Sequence, residues 1–544
     1  MKKFKLYLIK NISSSLQSLS LPNVDFNLSP PKNRSFGDLS SNLPLLLGSI
    51  QKTQPLKIGK LILEDLKERK LENIDDINIK APGFLNFRIS PIFFQKKIDL
   101  ILKENKKFGK GSIGLGKSAN VEFVSANPTG PLTVGHGRNA VLGDVISKIL
   151  EWQGFQVTKE YYFNDAGRQM RVLGKSVEAR YYEILGENSK LPKDGYQGNY
   201  IISIAKNIFE KKGGNLKPGD DIFQKSAEKI IFNEIKQTLK NIGINFDIFT
   251  NEKSFYENGD IDRLLKALSE KDLIYEKDGA TWFRSSSLGK EQDRVYIKSS
   301  GEPTYRVPDT AYHLDKIKRR YDLIVDIFGA DHADTYPDVI LALKSLGFDT
   351  NHIKVLLYQF VTLIENGQKV KMSTRQANFI TLDHLINELG SDVVRYFFVM
   401  RSMNSHLDFD LDMAKDQSDK NPVFYLQYAY ARICNIIKQS NNEKLSTAET
   451  CDLNLLSHEN ELIMLKHMAQ FPEIVDIAYE NFEPQYVAVF LQQLASCFHK
   501  FYNSCKVNTN DTGLTNARIK LIKAVKIILN NGFNILGISS PERM

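Results

Sequence analysis

The chain has little cysteine, little tryptophan and no long apolar run. Of its 544 residues, four are cysteines and two are tryptophans. The cysteines all lie in the last quarter of the chain, and none forms a CxxC pair, which indicates neither a zinc ribbon nor a disulfide framework. No uninterrupted apolar run approaches the roughly 20 residues that a membrane span needs. We therefore expect a cytoplasmic protein with no structural metal and no membrane partner.

The composition is that of a globular protein with several domains. Hydrophobic residues make up 42% of the chain, and its length suits three or four domains. A formal net charge of +8 suits a polyanionic partner such as nucleic acid, but many proteins without such a partner are equally basic. Charge alone therefore does not identify the partner.

The most informative stretch runs from Val121 to Gly154 and predicts a strand, a turn and a helix. A short apolar run is followed by a turn rich in proline and glycine, and then by apolar residues at the spacing of one helix face. Gly130, Gly135 and Gly137 would let a ligand approach the backbone closely, and a helix start offers unpaired N–H groups and a positive dipole end. We expect an anion here, with nucleotide phosphate as the first candidate.

This turn resembles the HIGH-type motif of class I aminoacyl-tRNA synthetases, in the form SANPTGPL-x-VGHGR found in bacterial arginyl-tRNA synthetases. The match runs from Ser125 to Arg138, with one departure: Thr133 stands where the family has the first His of H-x-G-H. The resemblance implies an ATP site with His136 as a catalytic residue. The implied ATP contacts are Pro128, Thr129, Gly130, Pro131, Leu132, Thr133, Val134, Gly135, His136, Gly137 and Arg138.

A second stretch, around Asp309, predicts either a helix cap or a guanidinium site. Pro308 predicts that no helix precedes Asp309, which would then cap a helix over residues 310–320. Alternatively, Tyr305 and Asp309, on an extended or turned backbone, place an aromatic face and a carboxylate around one guanidinium. In arginyl-tRNA synthetases the matching Tyr and Asp contact the arginine side chain, and this resemblance favours the second interpretation.

The apolar run from Leu323 to Phe328 predicts a central parallel strand, so the loop that follows should lie at the ligand-binding edge of a sheet. Asp331, His332 and Asp334 are too crowded in sequence to form a good metal site, and we expect none there. The family resemblance implies instead that His332 contacts the substrate. By residue-for-residue match it adds Glu122, Ser125 and Asn127, at the α-amino or α-carboxylate end of arginine.

Residues 371–375 read KMSTR and resemble KMSKS, the second class I motif, in the variant of arginyl enzymes. The resemblance implies that Lys371 is a second catalytic residue, which stabilises charge on the leaving pyrophosphate. Met372 and Ser373 would complete the ATP site. Mg²⁺ is expected to accompany ATP rather than to occupy a protein cage.

The resemblance covers essentially the whole chain and implies its architecture. We expect an α/β fold in which a Rossmann-type parallel sheet lies between an amino-terminal α/β domain that contacts tRNA and a carboxy-terminal all-helical domain that binds the anticodon. The expected bounds are 1–112 for the first domain, 113–385 for the catalytic domain with a mostly helical insertion at about 166–290, 386–420 for a helical connector, and 421–544 for the anticodon-binding domain.

Some candidate tRNA contacts have a structural alternative. Lys32 and Arg34 can meet phosphates or simply be solvated. Aromatic residues at helical spacing in the last domain can stack on bases or belong to its core. These aromatics are Phe424, Tyr425, Tyr428 and Tyr430.

The sequence therefore predicts a monomeric enzyme that activates L-arginine with ATP and transfers it to tRNA(Arg). A class I synthetase for cysteine or glutamate would lack the Tyr305 and Asp309 pair or would show zinc-ligand cysteines. This chain has the pair and no such cysteines, so the sequence opposes both alternatives. A non-catalytic tRNA-binding paralogue remains an alternative. Thr133 favours that alternative, whereas His136 and Lys371 oppose it.

Overall fold

The structure is a computed structural model that describes residues 1–165, 167–370, 380–442 and 451–544. It comprises an amino-terminal α/β unit, a central unit built on a parallel sheet, and a carboxy-terminal helical bundle. Among the described residues, no helix has the length and apolarity needed to cross a bilayer.

The amino-terminal unit packs four helices with a small antiparallel sheet. Its elements are α1 (Lys2–Ser18), β1 (Leu39–Ser41), α2 (Leu43–Gln51), α3 (Pro55–Glu68), β2 (Ile74–Lys80), β3 (Phe84–Ile89) and α4 (Pro91–Glu104). Strand β3 lies between β1 and β2. Helix α3 begins at Pro55, and proline is tolerated there because the first N–H groups of a helix have no intrahelical acceptor. The helix buries Ile58, Ile62 and Leu66 along one face. The amino-terminal part of the chain is therefore an α/β unit, as the sequence predicts.

The central unit is organised around a five-stranded parallel sheet. Its elements are β4 (Ser118–Glu122), α5 (Val134–Trp152), β5 (Gln156–Phe163), α6 (Gly167–Ile184), α7 (Asn199–Lys212), α8 (Ile222–Asn241), β6 (Ile248–Asn251), α9 (Lys253–Glu257), α10 (Asp260–Glu270), β7 (Ile274–Lys277), β8 (Ala280–Phe283), β9 (Arg294–Ile297), α11 (Arg306–Lys318), β10 (Leu323–Gly329), α12 (Tyr336–Ser345) and β11 (Ile353–Tyr358). The strand order is β11–β10–β4–β5–β6. The order changes direction between β4 and β10, and at such a point a crevice opens at the carboxyl ends of the strands. The predicted Rossmann-type sheet is confirmed.

Two short strands lie outside the expected arrangement. Strand β6, inside the stretch predicted as an insertion, is the edge strand of the main sheet and pairs with β5. Strand β9 pairs with β8 in a separate antiparallel sheet rather than with a strand of the main sheet. Strands of four residues carry too little sequence pattern to indicate their partners.

Helix α5 is buried along almost its whole length, and its glycines make this possible. A Cβ on Gly143 would lie 2.1 Å from the Phe123 ring. A Cβ on Gly137 would lie 2.6 Å from Leu382 and 3.1 Å from Phe398. The expectation that Gly137 leaves room for a ligand is therefore wrong, because the missing side chain makes room for neighbouring side chains.

Replacing Gly137 by Ala should lower the free energy of unfolding by about 1–3 kcal/mol, because a methyl group would be forced into packed side chains. Gly135→Ala is the matched control, because a Cβ there meets only Thr133 Oγ1, at 3.7 Å. Differential scanning calorimetry should show a lower midpoint for Gly137→Ala alone. Equal midpoints for the two variants would contradict this account of the packing.

A connector leads from the sheet to the helical bundle. It comprises β12 (Val361–Glu365), β13 (Gln368–Lys369), α13 (Leu382–Leu389), α14 (Ser391–Val399), β14 (Leu407–Asp410) and α15 (Leu411–Lys415). Asn366 and Gly367, both at positive φ, form the turn between β12 and β13. Gly390, with a φ of +81°, separates α13 from α14.

The bundle contains α16 (Pro422–Asn442), α17 (Glu459–Met468), α18 (Phe471–Asn481), α19 (Gln485–Ser504) and α20 (Thr512–Leu536). It packs against the amino-terminal unit, where Lys466 pairs with Asp38 at 2.6 Å and Gln95 donates to the Leu456 carbonyl. The first and last domains of the chain are therefore in direct contact.

Arg395 of α14 joins three parts of the molecule. Its side chain is 1% exposed and forms an ion pair with Asp144 of α5. The guanidinium also donates to the carbonyl of Leu536, at the end of α20, and to that of Ile242, just after α8, both at 3.0 Å. One buried side chain thus fixes the bundle and the helical insertion to the central helix.

Candidate active site

The chain bends sharply where β4 ends. Val124 and Ser125 have φ angles of +67° and +45°, in a region that residues other than glycine seldom adopt. The Val124 N–H donates to Asn139 of α5 at 2.8 Å, and Asn139 donates in turn to the Ile327 carbonyl of β10 at 2.9 Å. Backbone strain of this kind concentrates at ligand sites, so the bend marks the crevice as a candidate site.

His136 lies in the first turn of α5, beside this bend. Its Nδ1 accepts a hydrogen bond from the Thr133 backbone N–H at 3.2 Å. The turn is also held by the Leu382 N–H, which donates to the Leu132 carbonyl at 2.8 Å. Burial lowers the pKa of His136 to about 4, so the imidazole is neutral at pH 7.

The predicted ATP residues differ in accessibility. The partly exposed ones are Thr129, Gly130, Pro131, Thr133, Gly135 and His136. The buried ones are Pro128, Leu132, Val134, Gly137 and Arg138. The buried side chains can support a nucleotide site but are not free to contact its ligand. The predicted Lys371, Met372 and Ser373 lie outside the described residues.

Arg138 has a different role from the one predicted. Its guanidinium is fully buried and donates to the carbonyls of Gln359, Ser402 and Ser405 at 2.6, 2.9 and 3.1 Å. The expected contact of this side chain with ATP is therefore not available. Arg138 instead holds two connector loops against α5.

The prediction for the start of α11 is wrong. The helix begins at Arg306, so Pro308 and Asp309 lie in its first turn, and the Asp309 N–H donates to the Tyr305 carbonyl at 3.1 Å. Proline is tolerated there because the first N–H groups of a helix have no intrahelical acceptor. Asp309 is therefore not the helix cap.

Asp309 lies close to the carboxylates of Glu252 and Glu122, and we call this cluster the acidic pocket. The pKa of Asp309 is raised to about 7, mainly by burial and in part by the charges of Glu252 and Glu122, whereas His313 and Lys316 oppose the shift. Tyr162 contacts one of these carboxylates, because its hydroxyl donates to Glu252 at 3.0 Å. The Tyr162 ring stacks on Tyr312. A buried acidic pocket of this kind favours a cationic ligand.

Glu252 is a candidate residue that the sequence did not reveal. It is 7% exposed, follows β6, and accepts hydrogen bonds from Tyr162 and from Asn164, the latter at 2.6 Å. Burial raises its pKa. No sequence motif surrounds Glu252, and the only signal was the position of Tyr162 and Asn164 in a phrase, YYFNDAGRQ, that resembles the family.

The residues predicted for the α-amino or α-carboxylate end of arginine connect to this pocket. Ser125 donates to Glu122 at 2.8 Å and accepts from the Tyr162 N–H at 3.2 Å. Asn127 accepts from the Asn164 N–H at 3.0 Å. The structure therefore brings Glu122, Ser125 and Asn127 together around the segment that also contacts Glu252.

Glu122 is held by a buried ion cluster. Lys316, which is fully buried, pairs with both Glu122 and Asp326. His313 lies 3.0 Å from Asp326, whose charge raises the pKa of His313 against the effect of burial. With Glu122 itself 2% exposed, its carboxylate can influence a ligand mainly through its charge and through Ser125.

Tyr305 and His332 lie at the surface. Tyr305 is 67% exposed, whereas Asp309 is partly buried, so the predicted pair is half formed, with the ring on the outside. His332 is exposed and stacks on Phe328, in the loop after β10. In the part of the chain that the structure describes, no three His, Cys, Asp or Glu side chains are arranged to hold a metal ion.

Comparison with family models gives matches along most of the chain. Residues 6–89 match the arginyl tRNA synthetase N terminal domain, residues 97–397 the catalytic domain of class I (R) tRNA synthetases, and residues 426–544 the DALR anticodon binding domain.

Relatives that match over nearly the whole chain point to the same family as the domain matches. The arginine–tRNA ligase of Desulfotalea psychrophila is 46% identical over 520 residues, which cover 94% of each chain, and that of Salinibacter ruber is 43% identical over 99% of this chain and 100% of its own. The crystal structure of a putative arginyl-tRNA synthetase from Campylobacter jejuni is 34% identical, with a TM-score of 0.77 over 84% of this chain and all of that one. The Thermus thermophilus arginyl-tRNA synthetase, 20% identical, shares the fold over 99% of this chain and all of its own with a TM-score of 0.76. The chain belongs to the arginyl-tRNA synthetase family.

Proposed function

We propose that this chain attaches L-arginine to tRNA(Arg) in two steps, in the cytoplasm and as a monomer. A carboxylate oxygen of arginine attacks the α-phosphorus of ATP, which forms arginyl-adenylate and releases pyrophosphate. A hydroxyl of the terminal adenosine of tRNA then attacks the arginyl carbonyl and releases AMP. Neither step forms a covalent bond to the protein, so catalysis consists of positioning and electrostatic stabilisation. The observation that carries the proposal is the Asp309 carboxyl, which lies close to the carboxylates of Glu252 and Glu122.

The acidic pocket takes the guanidinium of arginine. Asp309 accepts two parallel N–H bonds from its planar fork, a geometry that lysine cannot reproduce. Glu252 contributes a second negative charge, and Tyr305 can cover the ligand from outside. Ser125 and Asn127 then meet the α-amino or α-carboxylate end, and His332 borders the pocket from the loop after β10.

The start of α5 takes the phosphates of ATP. Free N–H groups of its first turn and the positive dipole end attract them, and His136 donates a hydrogen bond. Mg²⁺ bound to ATP neutralises further charge. Lys371 and Ser373 approach the pyrophosphate as it leaves, and Met372 lies between them in the same motif.

Two surfaces, one on the amino-terminal unit and one on the bundle, bind tRNA. The amino-terminal unit has a cavity of about 720 Å³ that includes Lys32, Phe36 and Phe84. The bundle has one of about 630 Å³ that includes Tyr428 and Arg432, and the guanidinium lies 4.6 Å from the tyrosine ring. Exposed aromatic rings beside a cation suit stacked bases. Tyr430, by contrast, is 5% exposed and belongs to the core.

Aminoacylation of tRNA(Arg) with radiolabelled arginine tests the proposal. Full activity is expected with ATP and Mg²⁺, and none with lysine in place of arginine. A protein that binds tRNA(Arg) but forms no aminoacyl-tRNA would instead be the non-catalytic paralogue.

The KM for arginine should fall as pH rises through 7. The pKa of Asp309 in the free enzyme is about 7, so below this pH the carboxyl is protonated and cannot pair with a guanidinium. Binding should therefore release a proton near pH 7, which calorimetry in two buffers of different ionisation enthalpy measures. A KM and a proton release that do not change from pH 6 to 8.5 would show that Asp309 does not meet the guanidinium.

A further inference from the structure

Position 133, where this chain departs from the family motif, makes a specific contact with His136. The Thr133 backbone N–H donates to His136 Nδ1 at 3.2 Å, and Thr133 Oγ1 lies 3.2 Å from the same nitrogen. A backbone N–H can donate a hydrogen bond but cannot accept one. Nδ1 is therefore the acceptor and carries no hydrogen.

This contact determines which protonation state the ring adopts. A neutral imidazole has a single ring hydrogen, which must then be on Nε2. An imidazolium would place a hydrogen on Nδ1 against the Thr133 N–H, so the contact opposes the charged form. Burial acts in the same direction, and no charged side chain among the described residues contributes to the lowered pKa of His136.

The surroundings leave room for a ligand beside this ring. Gly135 is partly exposed, and apart from Thr133 Oγ1 at 3.7 Å its missing Cβ faces open space. The backbone of Thr133 is fixed by an isolated antiparallel β-bridge with Thr381. The donor to Nδ1 is thus held by backbone contacts rather than by a mobile side chain.

We propose that Thr133 is a positioning residue that fixes His136 as the neutral Nε2–H tautomer, so that the imidazole presents one hydrogen-bond donor and no charge to a phosphate oxygen of ATP. The proposal rests on the ATP role assigned to His136 above. Positive charge at the phosphates then comes from Mg²⁺, from the start of α5 and from Lys371 of the KMSTR motif. A threonine hydroxyl suits this arrangement because it can also donate to Nδ1 and never carries charge.

Nitrogen NMR of the full-length protein tests the tautomer directly. With ¹⁵N-labelled histidine the chain contributes nine imidazoles, and the His136 signals are those lost in His136→Gln. At pH 7 the two-bond proton–nitrogen spectrum should show His136 protonated on Nε2 alone, and the pattern should persist down to pH 5. A ring protonated on Nδ1, or an imidazolium at pH 7, would overturn the proposal.

Two variants test the contribution of Thr133. Thr133→Val keeps the shape and the backbone N–H but removes the hydroxyl. We expect the His136 titration to move to higher pH and the KM for ATP to rise about 2- to 10-fold, the effect of losing one hydrogen bond, with the KM for arginine unchanged. Thr133→Ser should restore both quantities. If Thr133→Val leaves the titration and the KM for ATP unchanged, Thr133 does not position His136.

The spectra and the kinetics separate the two proposals. If His136→Gln keeps the normal KM for ATP while the spectra show the Nε2–H tautomer, the ATP role of His136 fails and the assignment of the tautomer stands. If the variant loses ATP binding and the unmodified protein shows the other tautomer, the ATP role stands and the positioning role of Thr133 is refuted.

Discussion

Asp309→Asn should lower kcat/KM for arginine by about 10²- to 10⁴-fold, the equivalent of about 3–5 kcal/mol for a buried charge pair that loses one partner. The guanidinium would keep Glu252 nearby but would lose the carboxylate that accepts its parallel N–H bonds. Steady-state aminoacylation at several arginine concentrations gives this ratio. The KM for ATP should change much less, because Asp309 lies outside the phosphate site.

The stability of Asp309→Asn should move in the opposite direction to its activity. The pKa of Asp309 is about 7 in the folded protein against an ordinary 3.8, so between these values the folded chain holds a proton that the unfolded chain has released. The stability contribution of this group therefore falls as pH rises through that window and stays low above pH 7. The neutral amide should raise the melting temperature at pH 8. A lower melting temperature with normal kinetics would show that Asp309 serves only the helix.

Asp315→Asn is the matched control for these measurements. Asp315 lies on the same helix, is closer to solvent and pairs with Arg319 at 3.0 Å. Its replacement changes the charge of α11 by the same amount without touching the acidic pocket. We expect kcat/KM for arginine to stay within about 3-fold of normal, in line with the small energy of exposed ion pairs.

Arg395→Met should lower the free energy of unfolding by about 3 kcal/mol, because it removes one partner of a buried ion pair and leaves two carbonyls without donors. Asp144 would retain Lys148 and Lys159, each at 2.7 Å, which limits the loss. Arg395→Lys should be intermediate, since an ammonium cannot reach three acceptors in different directions. Calorimetric unfolding measures the effect.

Arg401→Met provides the control, because Arg401 is exposed and lies six residues further along the chain. Its effect should stay within about 0.5 kcal/mol. Limited proteolysis of Arg395→Met should also release the helical bundle sooner than in the unmodified protein. If the two Arg variants unfold at the same temperature, the buried contacts of Arg395 do not hold the three parts together.

The fold could be predicted wherever the sequence carries a long pattern. Helix α5 shows apolar residues at helical spacing before Gly154, and β10 is an apolar run interrupted only by Asp326, as is typical of a strand buried on both faces. Strand β6 lies in a stretch predicted as a mostly helical insertion, and neither its sheet nor that of β9 could be predicted, because four residues fit several partners equally well. The start of α11 was misjudged because Pro308 was taken as a boundary, although proline is accepted within a first turn.

The candidate site was predictable only where residues lie in a recognisable motif. His136 and Asp309 belong to such stretches, at the starts of α5 and α11. Glu252 reaches the pocket from a distant segment through contacts with Tyr162 and Asn164, which no spacing along the chain indicates. For Arg138 the residue type suggested a phosphate ligand, and only its burial against three carbonyls revealed a structural role.

The contact between Arg395 and Asp144, in the middle of α5, has a mechanical consequence for His136 in the first turn of the same helix. Asp144 lies eight residues after His136, about 12 Å along a helix that is packed on nearly all sides. The intervening turns cannot bend or stretch independently, because Gly137 and Gly143 already lie in close contact with their neighbours. We therefore expect a displacement of the last helix of the chain to be transmitted along this axis to the His136 imidazole.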